Sequence, residues 1–454
     1  MTTDGSEGKF RMMVDGRYPS GWRDYQRKLR RAARTRRVLG IFPLLAFSCG
    51  FTLLLLLVVF QGRTSVSGYV TKPLPTASAD EKPGPNTQVK PPKRPAALIP
   101  RELNLAYADI KDRFVLERGE NDLTIDSSID AKLQERIETL LQNSQTVQAA
   151  VVVLNPKDGR VIAMASFDTA GGTDNLCLKA DFPAASVFKI VSAAAAMDSA
   201  GYTPNRPVYY VGRKHTLYKG QLKKRTNTYG AKVSFSEAFA SSINSVFGKV
   251  GIYDLGKQVM TEYAERFLFN RAIPFDLPVS KSTTQIPESD FEVAEFASGF
   301  NKKTRISPLH AALLASAVVN EGHIMAPWLV RRITSESGTV LFEREPKRLA
   351  SPISPAVAEG MKVLMRETVL YGTCKKTFRR LRRKKAFKHI DLGAKTGNIN
   401  DSSDRFKYDW LTAYVVPSKG DQSICISVLC VHGKALGVRA NRLGRLIIRY
   451  YVLS

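Results

Sequence analysis

At 454 residues the chain has room for one large domain or two of medium size, with appendages. Its 44% apolar and 24% charged residues are ordinary for a globular protein, which argues against a wholly disordered or fibrous chain. The formal net charge of +27 is not ordinary, and it favours an anionic partner: nucleic acid, an anionic membrane surface or a polyanionic polymer.

The N-terminal stretch decides among these. Residues 23–37, RDYQRKLRRAARTRR, are densely basic, and Val38–Phe60 then runs for 23 residues without a charge. That length spans a hydrocarbon core of roughly 30 Å with some tilt. A cleaved leader has a shorter apolar core and a small-residue cleavage site, whereas this run closes on Val-Val-Phe-Gln. The positive-inside rule puts the tail (1–37) in the cytoplasm and everything after the span (38–60) outside. A basic tail abutting a membrane span is a topology signal with affinity for anionic lipid, so no nucleic acid is expected as partner. Residues 61–100 follow with eight prolines between Pro73 and Pro100 and read as an extended spacer.

From residue 101 to 454 the pattern is globular. Ala131–Gln142 carries Leu133, Ile137, Leu140 and Leu141 at helical spacing after Ser/Asp capping residues. AAVVVLNPKDGRVIAMAS gives two β-rich runs around Asn155–Gly159, a hairpin signal. The middle reads mostly helical over Val187–Ala200, Phe235–Gly251 and Leu309–Asn320. Strands return over Leu392–Thr396, Trp410–Val416 and Ser423–His432, and a basic helix over Arg439–Tyr451 closes the chain. Strands at both ends with helices between them predict an α+β domain with one antiparallel sheet built from distant segments. The five cysteines show no zinc-type spacing and the five histidines no ligand cluster, so neither metal nor cofactor is expected. Cys425 and Cys430, five apart on one strand, face opposite sides and should not pair; nothing in the sequence supports a Cys177–Cys374 bridge.

Three short motifs carry chemistry. In Ser186-Val-Phe-Lys189, a helix starting near Ala184, with Pro183 in its first turn, puts serine and lysine on one face. Serine becomes a nucleophile when a neighbouring base takes its proton. Lysine serves as that base when desolvation or a second cation lowers its pKa. The signal alone is weak, and Ser6-Glu-Gly-Lys9 in the tail is a second match with no role. Ser242-Ile-Asn244 offers a hydroxyl and an amide for proton relay and substrate binding. Lys395-Thr396-Gly397 suits a carboxylate ligand, with glycine allowing close backbone approach, on a strand that could present an edge to an extended peptide. Each motif taken singly is matched by ordinary capping or packing residues.

Together and in this order, the three are the set of penicillin-binding proteins and class A β-lactamases. From about Leu123 to the C-terminus the chain resembles the penicillin-binding transpeptidase family, in LTIDSSIDAKLQERIETLL, PAASVFK, SEAFASSIN, GFNKKTRISPLHAALLASAVVNEGHIMAPWLV and AKTG followed by DWLTAYVVP. The resemblance implies a penicillin-binding transpeptidase/β-lactamase-like fold. This has a central antiparallel sheet with helices on both faces and a helical subdomain, here after one transmembrane helix. It implies a peptidoglycan D,D-transpeptidase acting on D-Ala-D-Ala stem peptides and acylated by β-lactams, without a glycosyltransferase domain. By matching positions Ser186 is the nucleophile, Lys189 its base, Ser242 the relay to the leaving amine and Lys395 its electrostatic partner. Asn244 would hold the substrate amide and Thr396 the terminal carboxylate, while the N–H groups of Ser186 and Asn398 would form the oxyanion hole beside Gly397. Asn398 departs from the family, which has Thr or Ser there as a second hydroxyl for the carboxylate.

Two other readings compete: a hydrolase of the same fold (D,D-carboxypeptidase or β-lactamase) and a non-catalytic β-lactam- or muropeptide-binding sensor or scaffold. The expected location is the bacterial inner membrane, single-pass, with the domain periplasmic and other cell-wall synthesis proteins as partners. The segment Lys375–His389, KKTFRRLRRKKAFKH, is a solvated loop or helix face, or a docking surface for anionic wall polymer, membrane or a partner.

Overall fold

The computed structural model describes residues 100–454 apart from 104, 106–109, 119–121, 172–174, 225–229 and 420–421. The expected tail, membrane span and spacer up to residue 99 lie outside the described residues, as do Cys49 and Ser6. Among the described residues no helix is long and apolar enough to cross a membrane.

The central sheet uses β1 (Gln148–Leu154), β2 (Val161–Asp168), β3 (Ile390–Asn400), β4 (Lys407–Pro417) and β5 (Ile424–His432) in the order β3-β4-β5-β1-β2, antiparallel throughout. The expected hairpin joins β1 to β2. Asn155 Oδ1 accepts from the Lys157 N–H at 2.8 Å, and Gly159 takes φ +85°, where a Cβ would stand 2.2 Å from the Ala326 carbonyl oxygen. The helices that matter below are α1 (Ala131–Gln142), α2 (Lys189–Ser199), α3 (Phe235–Ala240), α4 (Asn244–Val250), α5 (Asp290–Ser298), α6 (Pro308–Val319), α7 (Pro355–Leu370), α8 (Lys375–Arg382) and α9 (Ala440–Leu453).

Both faces of the sheet are covered. On one, Val151, Val153, Leu411, Ala413, Ile426 and Val428 pack with Ile137 of α1, Phe378 of α8 and Ile447 of α9. On the other, Val152, Leu154, Met164, Trp410, Tyr414 and Leu429 join a core that includes α2, α6 and α7. Burial on both sides explains why these strands read as continuous apolar runs rather than as alternation. Cys425 belongs to one core and Cys430 to the other, as their odd spacing requires, and all four described cysteines are free and buried.

Three expectations are corrected. Phe235–Gly251 is not one helix. Ser242, at φ +55°, ends α3, and the chain restarts as α4 at Asn244. Serines compete for backbone hydrogen bonds, and two in succession favour such a break. Pro183 is not in a helical first turn. Phe182–Pro183 is extended and pairs with Arg305–Ile306, and its carbonyl accepts from Trp410 Nε1 at 2.9 Å. The helical turn starts only at Ala185, where φ is +48°. A second antiparallel sheet, Arg113–Leu116, Leu123–Ser127, Val330–Ser335 and Val340–Glu343, was not foreseen. Its strands are short and half exposed, so their apolar alternation is faint in the sequence.

The start of α9 is tied to the sheet by Asp409 of β4, 4% exposed, which accepts from Arg439 at 2.6 and 3.2 Å and from the Ala440 N–H at 3.1 Å. Burial works against this carboxylate, yet the protons it accepts, with His432 3.7 Å away, outweigh burial and hold its pKa below the usual range. A depressed carboxylate pKa adds stability above the unfolded-chain value of ~4, and that stability is lost as pH falls through the folded value. Asp409→Ala is therefore expected to lower unfolding stability by about 1–3 kcal/mol at pH 7, because half-exposed Arg439 recovers water. In urea titrations the gap between parent and variant should close below pH ~4.

Candidate active site

Ser186 lies on a single 3-10 turn, Ala185–Phe188, and is partly exposed. The chain is forced into that turn from both sides. Ala184 N–H donates to the Thr304 carbonyl at 2.9 Å, and Ala185 takes a left-handed φ that few non-glycine residues adopt. Gly299, at the end of α5, sits so close that a Cβ there would lie 2.0 Å from the Ala185 carbonyl oxygen. Gly397 of β3 closes the other side. A Cβ at that position would stand 3.1 Å from both the Ser186 and Val187 nitrogens. The expected close approach at this glycine is thus first an approach to the turn that carries Ser186.

Lys189 opens α2 and is fully buried. Its Nζ donates to Ser186 Oγ at 2.8 Å, to Asn244 Oδ1 at 2.7 Å and to the Ser298 carbonyl at 2.6 Å. Burial, and after it the positive charge of Lys395, holds its pKa well below the ordinary lysine value. A neutral amine keeps two N–H donors and one lone pair. With Asn244 and Ser298 taking the two donors, the lone pair is left for the Ser186 hydroxyl.

Ser242 is buried in the break between α3 and α4, and its Oγ accepts from Lys395 Nζ at 2.9 Å. Lys395, also fully buried, donates to the Thr396 carbonyl at 2.8 Å. Burial pushes its pKa down to about 7, opposed in part by the Cys374 sulfur. Neither lysine has a carboxylate partner among the described residues. Each instead lies over an aromatic ring, Lys189 5.6 Å from the Phe247 centroid and Lys395 5.4 Å from that of Phe239.

Asn244 is more committed than expected. Its Oδ1 is taken by Lys189 and one proton of Nδ2 by the His215 carbonyl at 3.1 Å, which leaves one N–H for a substrate carbonyl. Thr396 and Asn398 lie toward the outside of β3, the terminal strand of its sheet, half buried and exposed respectively. The motif reading missed two elements. The Lys214–His215 backbone anchors Asn244, Lys214 through its carbonyl to the Asn244 N–H at 2.8 Å. Thr373 places its Oγ1 2.6 Å from Thr396 Oγ1. No spacing rule links either to the motifs. No group of three metal-ligating side chains occurs among the described residues.

The geometry can be set beside known proteins. The family model for the penicillin binding protein transpeptidase domain matches residues 149–447, about two thirds of the chain. Peptidoglycan D,D-transpeptidase PbpA of Mycolicibacterium smegmatis is 25% identical over 355 residues, covering 70% of this chain and 68% of the relative. Stage V sporulation protein D of Bacillus subtilis is 23% identical, covering 66% of this chain and 48% of that longer protein. Among solved structures, penicillin-binding protein A from M. tuberculosis as its imipenem acyl-enzyme complex superposes with a TM-score of 0.61 at 22% identity. It covers 73% of this chain and 79% of that one. A match this extended, over a fold whose three motifs meet around one serine, makes the chain a member of the penicillin-binding protein transpeptidase family.

Proposed function

We propose that the protein is a membrane-anchored peptidoglycan D,D-transpeptidase working through a Ser186 acyl-enzyme. The observation that carries this is the Lys189 amine within 2.8 Å of Ser186 Oγ, buried, without a counterion among the described residues and with its other donors occupied. Neutral Lys189 takes the hydroxyl proton as Ser186 Oγ attacks the penultimate D-Ala carbonyl. The oxyanion is received by the Ser186 and Asn398 N–H groups, the pair that the family resemblance implies. Ser242, bonded to protonated Lys395, passes a proton to the departing D-Ala nitrogen. The amine of a second stem peptide then attacks the ester carbon and releases Ser186. The basic run and apolar segment at the N-terminus support a single-pass anchor with this domain outside the cytoplasm.

A transpeptidase is favoured over the hydrolase because no described carboxylate hydrogen-bonds Ser186 or Lys189 to activate water, and over the sensor because both amines are held ready for proton transfer. Thr373 supplies the second hydroxyl that Asn398 lacks, so the paired Thr373 and Thr396 groups would receive the terminal carboxylate.

Labelling by fluorescent penicillin is expected in the parent and absent in Ser186→Ala. Lys189→Ala should slow acylation by about 10²–10⁴-fold. A parent that takes no covalent label would defeat the catalytic reading, and free tetrapeptide as sole product with an amine acceptor present would defeat the transpeptidase.

The two amines are needed in opposite charge states. Acylation should rise as pH climbs through the lowered Lys189 pKa and decline as Lys395 loses its proton near pH 7. Acylation rate against pH should therefore be bell-shaped, and Lys395→Gln should lower the rate and remove the alkaline limb.

Thr373→Val is expected to reduce second-order acylation by carboxylate-bearing β-lactams about tenfold, a loss of ~1.5 kcal/mol from one hydrogen bond to a charged group. Thr373→Ser should restore it. Unchanged acylation in Thr373→Val would remove this residue from the site.

A further inference from the structure

The Lys375–His389 segment, left open by its composition, folds as α8 followed by a 3-10 turn, with Phe378, Leu381 and Phe387 buried beneath it. α8 packs beside α9, and a groove of about 630 Å³ lies between them. Lys376, Arg379 and Arg380 line one wall and Arg439, Arg442 and Arg445 the other. The remaining lining is Thr373, Thr377 and Asn441, so no acidic and no apolar side chain faces the groove.

Of the six cations only Arg439 has a carboxylate among the described residues, the Asp409 already described. The others repel one another. Arg445 is held below the ordinary arginine value by burial and then by Arg442, Arg449 and Arg380. The fold gathers like charges here, on successive turns of two helices, and five of the six have no carboxylate partner among the described residues. Guanidinium forks match phosphate oxygens in pairs. A docked protein would bring apolar anchors, and the groove offers them nothing to pack on. A bilayer is flat and would meet the rim rather than the concavity.

We propose that this groove binds a linear, phosphate-bearing polyanion of hydrophilic backbone. The polymer would run along α8 and α9 past Thr373, so it would lie next to the acylation site. The groove stands on its charge and shape and does not need the Ser186 chemistry to hold.

Binding of fluorescein-labelled inorganic polyphosphate to the full chain in nanodiscs, followed by anisotropy, tests this. Arg379→Gln, Arg380→Gln, Arg442→Gln and Arg445→Gln combined should weaken binding at least tenfold and flatten its salt dependence. Removing tail cations instead (Arg27→Gln, Lys28→Gln, Arg30→Gln, Arg31→Gln) should leave most of the affinity. If the fourfold variant melts below the parent, the pair Arg379→Gln and Arg442→Gln, both exposed, is read in its place, with about threefold loss expected. Equal affinity in the groove variant, or loss confined to the tail variant, would overturn the proposal. So would phosphatidylglycerol vesicles displacing the probe from the tail variant at equal phosphate, because the patch would then be a membrane surface.

Discussion

Two lysine amines buried without a carboxylate between them are the constraint on which the rest of the site depends. Taking an ammonium out of water is expensive, and a folded chain ordinarily compensates with an ion pair or lets the group shed its proton. Here the compensation is a set of neutral acceptors: Ser186, Asn244 and Ser298 for Lys189, and Ser242 with the Thr396 carbonyl for Lys395. A carboxylate in their place would hold both amines charged and leave neither a free lone pair. The depressed pKa values and the hydrogen-bond pattern are two consequences of one arrangement. The aromatic rings of Phe247 and Phe239 offer each amine a weak electrostatic partner that cannot take its proton.

Holding such groups in register falls to the backbone. Of the seven described non-glycine residues with positive φ, two belong to the site: Ala185, next to Ser186, and Ser242 itself. Conformations of this kind persist only where their surroundings over-determine them. Gly299 and Gly397 do so at Ala185 and Ser186 by letting α5 and β3 come closer than any side chain allows. The ladder of Phe182–Pro183 with Arg305–Ile306, and the Trp410 bond to Pro183, brace the approach from outside. Lys395 lies two residues before Gly397, on the same face of β3, so the approach of that strand to the Ser186 turn also positions the second lysine.

Much of this was legible beforehand, for identifiable reasons. The central strands announce themselves through doubly buried apolar runs, and α1 through spacing that matches its observed limits. Ser186, Lys189, Ser242 and Lys395 are linked in the sequence only through the resemblance of their three motifs, in that order, to the penicillin-binding family, because each motif alone is weak. What could not be read is contact between segments that share no periodicity. Thr373 reaches Thr396 from the turn that follows α7, the helix packed on β3, and the His215 carbonyl reaches Asn244 from a loop with no pattern of its own. The break inside Phe235–Gly251 was hidden because its apolar content suits one helix as well as two. The basic Lys375–His389 segment was ambiguous until its apolar residues were seen to bury themselves and leave the charge on one side.

On the proposed reading, the site's outward side bears on what resolves the acyl-enzyme. Beyond Asn398, β3 borders a cavity of about 670 Å³ that also holds Glu292, Glu295, Lys303 and Thr304. Burial and the neighbouring Glu292 raise the Glu295 carboxyl above its usual range, whereas Glu292 is bonded to Lys303 at 3.0 Å. Neither carboxylate hydrogen-bonds Ser186 or Lys189, so neither is placed to draw a proton from water at the ester. Glu292, Glu295 and Asp404 against Lys302 and Lys303 leave the cavity a slight negative excess, which draws an incoming ammonium and gives neutral water nothing. On the proposed reading, amine selectivity follows from where the acids are absent as much as from where they stand. Among the described residues the interior of the site is left to neutral acceptors and two amines, and the cavity's carboxylates stand beyond Asn398.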